Sequence, residues 1–263
     1  MQPELIESLA AELYGALRGR STLLPVSSRH PAVSIEDAYH ISQRLLQHRL
    51  ADGEKLVGKK IGVTSKAVQT MLDVYQPDFG FLTDAMRVAD GSTVSLSQAA
   101  LIQPRAEGEI AFLLRTDLHG PNVTREDVLD ATECVMPCFE IVDSRIQDWK
   151  IRIQDTVADN ASCGVFVLGE ARTAPRALDL AQVRLDMFRN GLQVGSGFGS
   201  AVQGHPAEAV AWLANTLSGF GIPFLKDEII LSGSLTPLVP AVAGDHFNLT
   251  IDRLGSAAIA FSE

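Results

Sequence analysis

The sequence predicts an α+β fold, and three observations support this prediction. The first 55 residues carry two apolar patterns at helical spacing. After residue 55 the chain changes character, because short apolar runs bounded by turn residues become its main feature. The pair Asn190-Gly191 stands between two alternating runs, which is a strong hairpin signal. We therefore expect a small helical segment over residues 1–55 and a larger, strand-rich unit over residues 56–263.

The helical segment contains two predicted helices. Residues 4–18 place leucine and isoleucine three and four positions apart, as an amphipathic helix requires. A second helix is expected to begin at Ser34, whose hydroxyl can cap it, with Asp37 placed to favour the helix dipole. This helix should end near Asp52-Gly53, a typical stop signal. Residues 21–31 between the two helices are predicted to form a loop.

The strand-rich part is expected to begin with a strand over residues 60–64. Residues 107–115 predict another strand, and Thr124 caps a predicted helix that continues through Val135. Residues 138–144 predict the next strand. A strand, a helix and a strand within about 35 residues favour a parallel pair with a right-handed crossover.

The remaining elements are read from similar patterns. Residues 163–168 predict a strand that precedes the hairpin around Asn190-Gly191. Residues 206–221 predict an amphipathic helix that glycines terminate. Three further strands are expected at the end of the chain, over residues 228–234, 246–252 and 257–262.

Composition excludes several classes of function. The chain has 22 Lys+Arg against 32 Asp+Glu, a net charge of −10, which argues against binding to nucleic acid or to an anionic membrane surface. The sequence contains no run of about 18 apolar residues, so we expect no transmembrane helix. The first residues do not resemble a signal peptide. Three cysteines without a Cys-x-x-Cys pair make a disulfide framework improbable, so we expect a cytoplasmic protein.

Carboxylates in apolar strands are the most informative chemical feature. Glu107 and Glu109 are two positions apart, so on a strand their side chains share one face. The residues that follow are apolar on both faces, which predicts a strand buried on both sides. Glu140 lies in an equally apolar strand. Because buried carboxylates are costly unless they are paired or bind a cation, these three glutamates predict a site for Mg²⁺ or Mn²⁺.

Other polar groups are weaker candidates. Lys60 precedes a glycine turn that could present it to an anion, and Asp78 lies in a turn-like Gln-Pro-Asp-Phe-Gly segment. Ser234 follows a strand in a segment of small hydroxyl residues, which suits either a wall around a carboxylate or an ordinary loop. Residues 143–162 carry many charges, and taken alone they predict a charged surface loop with an Asx turn.

Four long segments together resemble a known family. Residues 59–82, 103–114, 139–169 and 209–245 are similar, in this order, to the 2-oxopent-4-enoate (2-hydroxypenta-2,4-dienoate) hydratases of bacterial aromatic meta-cleavage pathways. These hydratases belong to the fumarylacetoacetate-hydrolase-like group. The resemblance covers nearly the whole chain. It implies the mixed β-roll or sandwich of that group over residues 56–263, preceded by a smaller N-terminal helical part.

The resemblance also implies roles for individual residues. The Glu-x-Glu motif and the distant glutamate that bind the metal fall on Glu107, Glu109 and Glu140. The catalytic lysine falls on Lys60, and the aspartate that acts as acid and base falls on Asp78. Residues of the expected substrate-binding wall are Asp159, Asn160, Ser162 and Ser234.

The implied activity is the metal-dependent addition of water to 2-hydroxypenta-2,4-dienoate, giving 4-hydroxy-2-oxopentanoate. A 4-oxalocrotonate decarboxylase on the same scaffold is the main alternative, with a hydrolase, an isomerase or a non-catalytic partner subunit of the same group further behind. Two features favour the hydratase: the DWKI segment at residues 148–151, and Cys163-Gly164 directly after the ADNAS segment at residues 158–162. The expected cofactor is Mg²⁺ or Mn²⁺. The expected partners are the small dienol or 2-keto acid and further copies of the chain, and a complex with the decarboxylase of the pathway is a further hypothesis.

Overall fold

The computed structural model describes the backbone of residues 1–263 and the side chains of all residues except 67, 71 and 72. Its seven helices are α1 (Pro3–Gly19), α2 (Val26–Arg29), α3 (Ile35–Ala51), α4 (Lys66–Leu72), α5 (Arg125–Ala131), α6 (Ile153–Ala158) and α7 (Pro206–Ser218). Its strands are β1 (Leu56–Gly62), β2 (Asp78–Thr83), β3 (Arg87–Val88), β4 (Thr93–Ser95), β5 (Arg105–Leu114), β6 (Thr132–Val142), β7 (Cys163–Leu168), β8 (Arg184–Arg189), β9 (Leu192–Phe198), β10 (Ile229–Leu231), β11 (Val239–Pro240), β12 (His246–Ile251) and β13 (Gly255–Ser262). No helix within the described part of the chain has the length and apolar character needed to cross a bilayer.

The strands form two mixed sheets, which confirms the predicted α+β class. The larger sheet has the order β2-β1-β10-β5-β6-β7-β3, with β11 added beside β5. The smaller sheet has the order β4-β13-β12-β8-β9. The two sheets pack through their inner faces, where Phe139 of β6 meets Phe247 of β12 edge to face at a ring distance of 6.4 Å.

The two predicted N-terminal helices are confirmed as α1 and α3. Ser34 caps α3 as expected: its Oγ accepts from the Asp37 N–H at 3.0 Å, and Asp37 Oδ2 accepts from the Ser34 N–H at 3.0 Å. The predicted loop between the helices contains the short helix α2. Tyr39 of α3 stacks on Phe79 of β2 with ring centroids 4.0 Å apart, so α3 packs against β2.

Two predictions for the middle of the chain are wrong. The helix capped by Thr124 ends at Ala131, and Val135 lies on β6 instead. Strands β5 and β6 are antiparallel rather than parallel. For β6 to run parallel to β5, the connecting chain would have to return along the ten residues of β5, about 33 Å. The connecting helix of seven residues spans only about 10 Å. The predicted hairpin is confirmed, with positive φ at both Asn190 and Gly191.

The larger sheet is closed into a roll by one amide side chain. Asn160, in the turn just before β7, donates from Nδ2 to the Phe81 carbonyl at 3.0 Å. Its Oδ1 accepts from the Phe81 N–H at 2.8 Å. The amide therefore replaces a strand neighbour for β2 and holds this edge of the sheet against the start of β7. The interior of the roll is apolar at one end, where Met136, Phe166 and Leu231 are buried together.

A buried arginine fastens the end of β6 to the start of β7. The Nε of Arg145 donates to Asp159 Oδ1 at 2.5 Å, and its guanidinium also donates to the carbonyls of Asp143, Asp159 and Cys163. Both side chains of this ion pair are almost fully buried. The pair therefore fixes the turn that carries Asn160 and Ser162.

Replacing Arg145 with methionine should destabilise the protein strongly. The substitution leaves the Asp159 carboxylate buried without its cation, which costs about 3–5 kcal/mol. Urea unfolding followed by circular dichroism measures the loss. The matched control is Arg176→Met, which breaks a solvent-exposed pairing with Glu126 and Asp130 and should change stability little. Equal midpoints for the two variants would contradict the assigned role of Arg145.

Candidate metal centre and active site

Three buried glutamates lie together at one end of the roll. In the register of β5 and β6, Glu107 is directly opposite Glu140, and Glu109 follows two residues later on the same face of β5. Glu107 is 4% exposed, and the other two are fully buried. One carboxylate oxygen from each lies within 4.8 Å of the others. The predicted clustering of these carboxylates in doubly buried strands is therefore confirmed.

The electrostatic environment of the three glutamates favours the binding of a cation. Burial and the neighbouring Glu140 together raise the pKa of Glu107 to about 8. Burial, Glu140 and Glu107 likewise raise the pKa of Glu109 far above its ordinary value. Glu109 Oε1 and Glu140 Oε2 are buried and accept no hydrogen bond from any described residue. Three oxygen ligands with unused lone pairs form the donor set that Mg²⁺ or Mn²⁺ prefers, so the residues fit a divalent metal.

The loop after β10 covers the glutamates from the side. The Gly233 N–H donates to Glu109 Oε2 at 2.8 Å. Gly233 has a φ of +106°, and a Cβ at this position would collide with Thr64. Ser234 lies beside Glu107 and lowers the pKa of that carboxyl. The structure thus places Ser234 next to a candidate metal ligand, while its hydroxyl proton is donated to the Thr236 carbonyl at 2.6 Å.

Lys60 supplies a buried positive charge to the cluster. It lies on β1 and is 2% exposed, and its Nζ is 3.2 Å from Glu140 Oε1. Burial disfavours its charged form, but the carboxylates of Glu140 and Asp78 outweigh burial and raise the pKa of Lys60. Lys60 is therefore an ammonium ion within the roll.

Asp78 lies on β2 beside Lys60 and is fully buried. Its Oδ2 accepts from Thr156 Oγ1 at 3.0 Å, whereas its Oδ1 is buried and has no hydrogen-bond partner among the described residues. Burial raises the pKa of Asp78. A Cβ on Gly62, the residue paired with Asp78 across the strands, would collide with Oδ1 and crowd Lys60 Nζ. Glycine at this position lets the acid and the amine approach one another.

The segment 143–162 is only in part the charged surface loop that its composition predicts, since Asp148, Lys150 and Arg152 are exposed. Asp143, Arg145, Asp155 and Asp159 are all buried, because their charges are satisfied inside the protein. Asp155, for example, accepts from the Ser27 N–H at 2.8 Å and from the Ser27 hydroxyl at 2.7 Å. Charge density alone could not reveal this pairing, since Ser27 is more than a hundred positions away in the chain.

The three expected pocket residues of this segment have different surroundings. Asp159 is bonded to Arg145, and burial raises the pKa of its carboxyl to about 6 against the effect of that guanidinium. The Asn160 amide is fully used by the Phe81 backbone. Only the Ser162 side chain lines the cavity, 3.3 Å from Thr156 Oγ1. Asp159 and Asn160 therefore hold the wall of the cavity, and Ser162 faces into it.

A small cavity connects these groups, with a volume of about 20 Å³. Its polar side is formed by Lys60, Asp78, Glu107, Thr156 and Ser162. Its apolar side was missed by sequence reasoning, because it joins single residues from four separate segments. These residues are Val68, Val142, Trp149 and Leu238. Thr156 was also missed, since only the folded chain shows that it contacts Asp78.

Replacing Glu109 with glutamine should weaken metal binding at least tenfold. The change removes one anionic ligand but keeps the size of the side chain, and it relieves repulsion among the carboxylates, so the metal-free protein should unfold at no lower temperature. Titration calorimetry with Mn²⁺ measures the affinity. Glu133→Gln, an exposed change on β6, the strand that carries Glu140, is the control. Unchanged Mn²⁺ affinity in the Glu109 variant would contradict the assignment.

Comparison with known proteins places this site in a family. Residues 57–261 match the model of the fumarylacetoacetate hydrolase C-terminal domain. A 2-hydroxyhexa-2,4-dienoate hydratase of Comamonas testosteroni is 65% identical, covering 99% of this chain and 98% of the relative. A 2-hydroxypent-2,4-dienoate hydratase of Pseudomonas putida is 60% identical, covering 84% of this chain and 100% of the relative.

A solved structure is similar over the full length. The 4-oxalocrotonate decarboxylase from Pseudomonas putida G7, complexed with magnesium and adipate, superposes with a TM-score of 0.94 at 34% identity. The match covers 99% of this chain and 98% of the decarboxylase. Fold, sequence and the buried glutamate cluster agree, and the chain belongs to the fumarylacetoacetate hydrolase family, together with these dienoate hydratases.

Proposed function

We propose that this protein is a metal-dependent hydratase that converts 2-hydroxypenta-2,4-dienoate into 4-hydroxy-2-oxopentanoate. The observation that carries the proposal is the arrangement of Lys60 and Asp78 beside three buried glutamates, in a chain 60–65% identical to dienoate hydratases. Decarboxylation of 4-oxalocrotonate is the alternative that the shared scaffold allows. We prefer the hydratase because the relatives that carry that name are the more similar in sequence.

Glu107, Glu109 and Glu140 would hold Mg²⁺ or Mn²⁺ as the cofactor. The cation supplies Lewis-acid stabilisation of the negative charge that develops on the 2-oxygen of the substrate. Lys60 Nζ adds a second positive charge in a buried site, where such a charge is more effective than at the surface. Ser162 and Ser234 offer hydroxyl groups to the substrate carboxylate, while Asp159 and Asn160 keep this wall in place.

Asp78 is the group that moves protons. Its Oδ2 is held by Thr156, so the free Oδ1 can face the substrate carbon chain. The enol hydroxyl loses its proton as C5 gains one, which forms the conjugated ketone; water then adds its oxygen to C4, and the proton that it releases is replaced by one delivered to C3. These steps add one water molecule and leave the protein unchanged. The raised pKa of Asp78 suits this shuttle, because a buried carboxyl holds a proton more readily than an exposed one does.

The proposed activity is tested by following the absorbance of the dienol with purified protein. We expect loss of the dienol and appearance of 4-hydroxy-2-oxopentanoate by mass. EDTA should abolish the reaction, and added Mg²⁺ or Mn²⁺ should restore it. A parallel assay with 4-oxalocrotonate is the control for the alternative. Release of CO₂ from that acid without any action on the dienol would assign the decarboxylase instead.

Replacing Asp78 with asparagine should lower kcat by about 10²–10⁴, the usual contribution of a positioned acid and base. Binding of Mn²⁺ should persist, because Asp78 is not among the three clustered glutamates. Steady-state kinetics and Mn²⁺ titration separate the two effects. Asp252→Asn, an exposed change far along the chain, serves as the control. An Asp78 variant with full activity would disprove the role.

The cellular compartment and the oligomeric assembly of the enzyme are also proposals. Cys134, Cys138 and Cys163 are buried free thiols, which is the condition expected in a reducing cytoplasm. The family resemblance suggests a homo-oligomer, and a complex with the pathway decarboxylase is a further hypothesis. Light scattering of the purified chain, alone and mixed with that decarboxylase, tests both assemblies.

A further inference from the structure

The hydrogen bond that orients Asp78 comes from a short helix, α6. Thr156 Oγ1 donates to Asp78 Oδ2 at 3.0 Å, and Thr156 is 3% exposed. Because Oδ2 is held in this way, Oδ1 is the oxygen left for proton transfer at the cavity. The six residues of α6 rise only about 9 Å. The contacts that fix the two ends of this helix therefore also fix the direction of the Thr156 hydroxyl.

A buried carboxylate anchors each end of α6. Asp159, directly after the helix, is paired with Arg145. Near the start of the helix, Asp155 is fully buried and accepts from the Arg152 N–H at 2.9 Å. It also accepts from the Ser27 N–H at 2.8 Å and from the Ser27 hydroxyl at 2.7 Å. A carboxylate is tolerated in the interior only where such donors replace its water, so Asp155 ties α6 to α2.

The same connection between α1 and α3 also contacts the chain ahead of α6. The Leu23 N–H donates to the Arg145 carbonyl at 2.8 Å, and the Gln147 N–H donates to the Leu23 carbonyl at 2.9 Å. Leu23 and Ser27 thus hold the chain at two places, between the end of β6 and the start of α6. We call residues 23–27 the N-terminal clamp.

Consecutive side chains on a helix point about 100° apart. Asp155 can therefore face α2 while its neighbour Thr156 faces the cavity, so a force on one is transmitted directly to the other. On the opposite side of the acid, α3 packs against β2 through the stacked rings of Tyr39 and Phe79, next to Asp78. The N-terminal helices thus support both the strand that carries the acid and the helix that orients it.

We propose that the N-terminal clamp supports catalysis, because Ser27 and Asp155 act through Thr156 to set the position of the Asp78 carboxylate. Ser27 and Asp155 are positioning residues, since they lie behind Thr156 rather than in the cavity wall. The proposal rests on the proposed function for the role of Asp78. It gives the helical N-terminal part, which precedes the residues 57–261 matched by the family domain, a task in the reaction.

The proposal predicts which kinetic constant the clamp controls. Without its donor the Asp78 carboxylate can turn about its side-chain bonds, so it spends less time aimed at the reacting carbon. The metal and the acid head are held by the glutamates of β5 and β6, which the clamp does not contact. A loosened clamp should therefore lower kcat and leave KM little changed.

Thr156→Val tests the contact between α6 and the acid. Valine keeps the shape of the side chain but has no hydroxyl group. We expect kcat to fall about tenfold to a hundredfold, as for loss of a hydrogen bond to a charged group, with KM and Mn²⁺ affinity little changed. Thr156→Ser restores the hydroxyl and should recover most of kcat. Wild-type kcat in the valine variant, or a serine variant no better than the valine one, would overturn the proposal.

Ser27→Ala tests the clamp in a double-mutant cycle with Thr156→Val. The alanine removes a donor to Asp155, and we expect kcat to fall several-fold in the otherwise wild-type chain. Because the effect acts through Thr156, the same change should cost almost nothing when Thr156 is already valine. Ser28→Ala, an exposed change on the same helix that removes a hydrogen bond to the Pro25 carbonyl, is the matched control. Equal losses in both backgrounds would show that Ser27 only stabilises the fold and would refute the coupling.

The assays separate this proposal from the proposed function. The wild-type protein is assayed with the dienol and with 4-oxalocrotonate, and kcat is taken from the acid that it converts. Conversion of 4-oxalocrotonate alone would contradict the hydratase, and the double-mutant cycle on that acid would still decide the clamp. Hydration of the dienol that responds to neither Thr156→Val nor Ser27→Ala would refute the clamp and leave the hydratase intact. A wild-type protein inactive toward both acids would refute both proposals.

Discussion

The burial of three like charges on two adjacent strands is the constraint on which the rest of this structure depends. Glu107, Glu109 and Glu140 face one another inside the roll, where their mutual repulsion and lost hydration both oppose ionisation. An apolar alternative at these positions would stabilise the fold, so the arrangement is useful only as a ligand set. Lys60 compensates one of the three charges. The remaining negative charge is what attracts a divalent cation to this end of the roll.

The supporting elements keep these charges close together in the interior of the roll. Close approach requires glycine at two places: Gly62 makes room for Asp78, and Gly233 brings its N–H to Glu109. Asn160 closes the roll through the backbone of Phe81, and Arg145 secures the turn that contains Asn160. These side chains do no chemistry themselves. They explain why many polar residues of the segment 143–162 are buried although none of them belongs to the glutamate cluster.

Much of the candidate site could be predicted from sequence because its strongest signals are local. A strand that is apolar on both faces and still carries Glu107 and Glu109 indicates a buried anionic site without any knowledge of the fold. Contacts between residues that are far apart in the chain could not be predicted from the sequence. Thr156 contacts Asp78 across 78 positions of the chain, and the apolar wall joins residues from four segments. The antiparallel pairing of β5 with β6 was missed because periodicity defines a strand but not its direction.

One scaffold supports both hydration and decarboxylation in this family, so the fold alone cannot decide the reaction. The decarboxylase superposes at a TM-score of 0.94 although only 34% of its residues are identical. A shared glutamate cluster would place the same acid head in the same way in both enzymes. The two enzymes must then distinguish their substrates by contacts with the rest of the substrate molecule. In this chain that region is walled by Val142, Leu238 and Trp149, and the Arg105 guanidinium stacks on the indole 4.4 Å from the ring centroid, so both apolar and cationic groups border the rest of the substrate.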